Sequence, residues 1–112
     1  MVTPASLRKL VLALKDVSEQ PYFEMTSFRM GKKVFITLNK SETRICIKLT
    51  PEDQDLFSLH DKTAIYAVPN KWGKMGWTFV ELKKVRTEVM RELVKTAFVA
   101  FQPIKKKESK RK

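Results

Sequence analysis

Between Ser27 and Leu49, apolar residues recur at every second position in three successive runs. Ser27-Phe28-Arg29-Met30 is the first. In the second, Val34, Ile36 and Leu38 alternate with Phe35 and Thr37. In the third, Ile45, Ile47 and Leu49 alternate with Arg44, Cys46 and Lys48. Gly31-Lys32 and Asn39-Lys40-Ser41-Glu42 separate the runs, and both are turn sequences. A period of two with short connections predicts three consecutive antiparallel strands with one buried face. The opposite face is expected to carry Phe35, Cys46, Lys48 and either Trp77 or Phe79. A half-apolar sheet face is either an interface or is covered by a short helix or loop of the same chain.

Helical signals frame these runs. Thr3-Pro4 can cap and start a helix, and Leu7, Leu10, Val11 and Leu14 follow at helical spacing, which predicts a helix over 4–16. Pro21 breaks that pattern. Thr50-Pro51-Glu52-Asp53 repeats the opening logic, with acids on the positive end of the helix dipole. It predicts a short helix over 51–58 anchored by Leu56, Phe57 and Leu59. A fourth strand is expected at 64–68, a loop at 69–76 and a fifth strand at 77–82. Met90, Leu93, Val94, Ala97, Phe98 and Phe101 make a wide stripe that predicts a helix over 86–102, ended by Pro103. The expected fold class is α+β, with an antiparallel five-stranded sheet packed on helices. Residues 1–103 form one domain, and 104–112 a basic tail without structure.

Charge narrows the partners. The 112 residues carry 23 Lys+Arg against 12 Asp+Glu, a net charge of +11. Residues 105–112 contribute +5 of this, so the rest of the chain is itself basic. Such a surplus favours polyanions by raising on-rate and non-specific affinity, or else serves solubility. Cys46 is the sole cysteine, and charged residues interrupt the first apolar stretch. No run approaches the roughly 20 apolar residues of a membrane span. A cytoplasmic protein is expected.

Several chemistries lack their residues. With His60 the sole histidine and Cys46 the sole thiol, no zinc site of standard spacing can be built in one chain. Gly31, Gly73 and Gly76 do not make a phosphate loop. Glu52, Asp53, Asp55 and Asp61 are the acid-dense stretch, and the helix start accounts for the first two. His60 reads as a solvated loop residue and Cys46 as an unreactive structural thiol. No enzyme, metal or cofactor is expected.

Two segments interleave bases with aromatic residues: Phe28 to Phe35, holding Arg29, Lys32 and Lys33, and Lys71 to Trp77, holding Trp72 and Lys74. Bases contact phosphates, and aromatic faces stack on unpaired nucleobases. Phe28 and Trp77 also read as core or sheet residues, and Lys32 and Lys33 as a wet hairpin tip. Trp72, between two loop lysines, either anchors its loop or binds. The candidate nucleic-acid contacts are Arg29, Lys32, Lys33, Lys71, Trp72 and Lys74, with Lys105, Lys106, Lys107 and Arg111 of the tail.

These same segments give the chain a family likeness. Ser27 to Phe35 resembles the strand–turn–strand signature of MmcQ/YjbR-like proteins. The basic, isoleucine-rich strand Arg44 to Leu49, the Pro51-Glu52 helix start, the tryptophans of Asn70-Lys71-Trp72 and Gly76-Trp77, and the Ala97-Phe98 pair follow in the family's order. The likeness covers about residues 7–103. It implies a two-layer α-β(3)-α-β(2)-α fold akin to secretion-chaperone-like domains. It also implies DNA binding by a double wing, here the Gly31-Lys32 turn and the 69–76 loop. Some members carry a histidine beside the loop tryptophan, where this chain has Gly73. Nucleic acid, DNA first, is therefore the expected partner. The alternative is a protein-interaction or chaperone-like module, homodimeric through the second sheet face.

Overall fold

Thr3 does cap the first helix. Its Oγ1 accepts from the Ser6 N–H at 3.1 Å, and Ser6 Oγ accepts from the Thr3 N–H at 3.0 Å, closing a capping box. The computed structural model describes residues 2–101. Helix α1 spans Pro4–Leu12 and is followed by β1 (Val17–Tyr22), β2 (Met25–Met30), β3 (Lys33–Leu38) and β4 (Arg44–Lys48). Then come α2 (Pro51–Ser58), β5 (Ile65–Ala67), α3 (Lys71–Lys74), β6 (Trp77–Glu81) and α4 (Thr87–Phe101). The six strands form one antiparallel sheet in the order β1-β2-β3-β4-β6-β5.

The α+β class and the antiparallel sheet agree with the sequence, but the sheet has six strands rather than five. The extra one is β1, which contains Pro21. A proline excludes a central strand but not an edge strand, where an N–H can be missing without breaking a ladder. β1 is that edge, pairing only with β2. Its polar run Ser18-Glu19-Gln20 shows no alternation because most of the strand is exposed. The first helix is correspondingly shorter than the predicted 4–16. Asp16 adopts the left-handed region (φ 61°), which turns the chain into β1.

A β-bulge corrects the second expectation. Phe28 pairs with Ile36, but Arg29 pairs with Val34, so Phe35 is the extra residue. A bulge shifts the alternation by one. Phe35 therefore joins Ile36 in the core, 1% exposed, instead of lying on the opposite face, and Val34 takes that opposite face.

Helices α1 and α4 lie on one face of the sheet and close the main core. Leu7 and Val11 of α1 and Met90, Leu93 and Ala97 of α4 meet Phe28, Phe35, Ile36 and Ile47 there. Each large side chain removed from water contributes about 1.5–3 kcal/mol, so this layer dominates folding. Before α1, the Val2 N–H donates to the Leu82 carbonyl at 3.0 Å and ties the chain start to the end of β6. Helix α2 has its predicted span, but of its predicted anchors only Phe57 packs against the core. Leu56 and Leu59 are exposed, Phe57 is half-buried, and the buried residue is Gln54. Among the described residues, no helix is long and apolar enough to cross a membrane.

Candidate functional site

The helices leave the other face of the sheet open. Strand register places Ser18, Gln20 and Tyr22 of β1 there, with Met25, Ser27 and Arg29 of β2. Val34 and Thr37 follow from β3, and Arg44, Cys46 and Lys48 from β4. Trp77, Phe79 and Glu81 of β6 and Tyr66 of β5 complete the face. Its middle is a groove of about 300 Å³ whose walls include Val34, Trp72, Trp77 and Phe79, with Thr37 and Cys46 between them. Burial pushes the Cys46 thiol up to about 11, so it stays protonated at neutral pH.

Cations lie against these rings. The Arg44 guanidinium sits 3.9 Å from the centre of the Phe79 ring, and Tyr66 meets the same ring edge-on. Arg44 also donates to the Tyr66 hydroxyl at 3.3 Å and pairs with Glu81 at 3.9 Å, while Tyr66 donates to Glu81. Burial and the Glu81 carboxylate raise the Tyr66 pKa. Arg44 is thus neutralised within the face. The Lys48 ammonium lies 5.4 Å from the Trp77 ring centre and 5.6 Å from that of Phe101. Arg29 Nε donates to Ser27 Oγ at 3.2 Å, and that hydroxyl donates to the Gln20 carbonyl at 3.0 Å. Among the described residues, Arg29, Lys48, Lys71 and Lys74 form no ion pair.

The segment read as a loop at 69–76 contains the short helix α3, and α3 is firmly held. Asn70 caps it, its side chain accepting from the Trp72 N–H at 2.9 Å. Gln54 Nε2 reaches the Gly73 carbonyl, the Trp77 carbonyl and Thr78 Oγ1, at 3.0, 3.1 and 3.0 Å. A Cβ on Gly73 would sit 1.9 Å from the Val68 carbonyl oxygen, so the backbone approaches closer than any other residue allows. That close approach leaves no room for a side chain, histidine included, at the position after the tryptophan. The anchoring is done by Asn70, Gln54 and glycine, while Trp72 stays 51% exposed at the groove.

Register also places the two wing segments. The β2–β3 turn and the β5–β6 connection leave the same end of the sheet, the end at which Lys48 pairs with Trp77. Strand β4 runs between the two hairpins, so Lys48 lies between the Gly31-Lys32 turn and α3. Of the candidate residues, Lys71, Trp72 and Lys74 come together on α3, and Arg29 shares the open face. Lys32 is exposed in the turn, and Lys33 pairs with Met30 and so shares the helix-side face. Lys105, Lys106, Lys107 and Arg111 lie outside the described residues. Tyr22, Lys48 and Phe79 were missing from the candidate contacts. For Lys48 and Phe79 the signal was present, since both alternate with core residues of their strands. Tyr22 had none, because its strand was not visible.

The architecture defines a class: an α+β domain with helices on one face of an antiparallel sheet and an aromatic groove on the other. The chain belongs to the YjbR family, whose model matches residues 12–100. It is similar to the crystal structure of Deinococcus radiodurans protein DR2400, which carries the family-model domain DUF419. The TM-score is 0.77 at 21% identity, covering 96% of this chain and 88% of that one. No curated protein matches the chain.

Proposed function

We propose that the protein binds nucleic acid on the open sheet face and α3. The observation that carries this reading is an aromatic groove with Arg29 on the same sheet face, Lys48 over its Trp77 ring, and Lys71 and Lys74 beside its Trp72 on α3, none of the four cations in an ion pair among the described residues. Phosphates would meet the cations, and bases, where unpaired, would meet Trp72 and Trp77. DNA is the first partner to test, as the family likeness implies. Titration of labelled DNA at several salt concentrations checks the reading. Four phosphate contacts on duplex DNA give a slope of log K against log salt of about −3.6. A chain ending at Pro103 keeps a slope near this value, and the full chain has a steeper one. Binding confined to the full chain would leave only a polycationic tail and overturn the reading.

The alternative, a second copy docked on the same face, is less well supported. A two-fold contact repeats each patch on itself. It would bring Arg29 and Lys48 of both copies into one interface, where Glu81, the one acid that register places on this face among the described residues, is already paired with Arg44.

A further inference from the structure

We infer that the groove takes the unpaired bases of a single strand, with little preference for their sequence. The inference rests on the nucleic-acid reading and specifies its substrate class. Three features carry it. The first is shape. Trp77 and Phe79 are half-buried in a concave face, and Trp72 stands at its rim. Stacked base pairs of a duplex offer phosphates and base edges but no ring faces, so they cannot reach these side chains. A volume of about 300 Å³ has room for a planar heterocycle.

The second feature is polarity. The groove walls hold few hydrogen-bonding groups: the Thr37 and Tyr22 hydroxyls, the Trp72 and Trp77 indole N–H groups and the protonated Cys46 thiol. Reading a base requires donors and acceptors matched to its edge. A largely apolar groove instead stacks any base, since every base has a π-face. Lys48, Lys71 and Lys74 lie at the same end of the sheet and would follow the backbone.

The third feature is pre-organisation. Asn70, Gln54 and the tight backbone at Gly73 hold α3 in place, and about half of Trp72 stays exposed. The ring is therefore presented at little ordering cost.

Fluorescence anisotropy of the full chain tests this with three labelled probes of equal length: oligothymidylate, oligouridylate and a blunt DNA duplex, each compared at the same low and high salt concentrations. The single strands are expected to bind at least about tenfold tighter than the duplex. Trp72→Ala should weaken single-strand binding by roughly 5- to 150-fold, the range reported for loss of one stacked base, and leave duplex binding within about twofold. Trp72→Phe should retain most of the affinity, and circular dichroism of both variants checks that the fold is kept. A duplex that binds as tightly as the single strands, or a folded Trp72→Ala chain with unchanged single-strand affinity, overturns the inference. Salt-sensitive duplex binding in that case leaves the nucleic-acid reading standing. Absence of salt-sensitive binding to all three probes removes both.

Discussion

A Cβ at Gly76 would lie 1.8 Å from the Leu49 carbonyl oxygen, at a φ of 107° where side chains are strained. The Gly76 carbonyl in turn accepts from the Leu49 N–H at 2.9 Å. No small movement relieves a clash with backbone that is itself hydrogen-bonded. Gly76→Ala is expected to destabilise the fold by about 3 kcal/mol or more, read as a lower urea midpoint. Cys46 makes a milder demand. Burial moves its thiol from the usual value near 9 up to about 11. The folded chain then holds a proton that the unfolded chain releases. Its contribution to stability is full below about pH 9 and is lost as pH rises towards 11. Iodoacetamide should label Cys46 slowly at pH 8 in the folded protein, and rapidly after denaturation at the same pH. Equal rates in both states would contradict the burial argument. A strand position for Cys46 was legible in the sequence because it alternates with Ile45 and Ile47, but the degree of burial was not.

Among the elements, α2 shows where sequence signals stop. Thr50-Pro51 marks its start because capping and a missing N–H are local matters, and the Asp53 N–H does donate to Thr50 Oγ1 at 3.1 Å. Which residues face inward depends on what the helix packs against. Leu56 and Leu59 have no wall to meet, whereas Gln54 meets α3 and β6. Gln54→Leu would strip a side-chain donor from the Gly73 and Trp77 carbonyls, which keep the Gly76 and Val68 N–H groups, and would leave the buried Thr78 hydroxyl oxygen without its donor. The expected cost is about 1–3 kcal/mol. Loosening α3 should also weaken oligonucleotide binding beyond the stability loss, which titration well below the melting temperature would detect. A variant that loses stability but binds with wild-type affinity would show that α3 needs no such support. β1 is the opposite case. Nothing in Ser18-Glu19-Gln20-Pro21 signals a strand, and its extended form comes from pairing with Met25–Met30. At the sheet edge, Pro21 also removes a donor that another chain could use.

For the whole molecule, the balance of charge decides how copies meet each other. With +11 on 112 residues, and Arg29 and Lys48 unpaired on the open face, close approach of two such faces is repulsive at low salt. Sedimentation at low ionic strength is expected to find a monomer over a wide concentration range. A stable dimer in which Trp77 or Phe79 becomes protected would return the open face to a protein partner. The same charge should make affinity for oligonucleotides fall steeply as salt rises.

The sequence by itself determined the starts of α1 and α2, the three central strands, the apolar stripe of α4 and the basic character of the chain. Each of these is set by near neighbours or by composition. Tertiary structure decided the rest. It added β1 by pairing, moved Phe35 into the core through a bulge, and turned the 69–76 segment into a short helix pinned by Gln54. It also set Lys48 between the two hairpins, beside a groove shared by five strands and α3. These features depend on residues far apart along the chain, where local propensity carries no information.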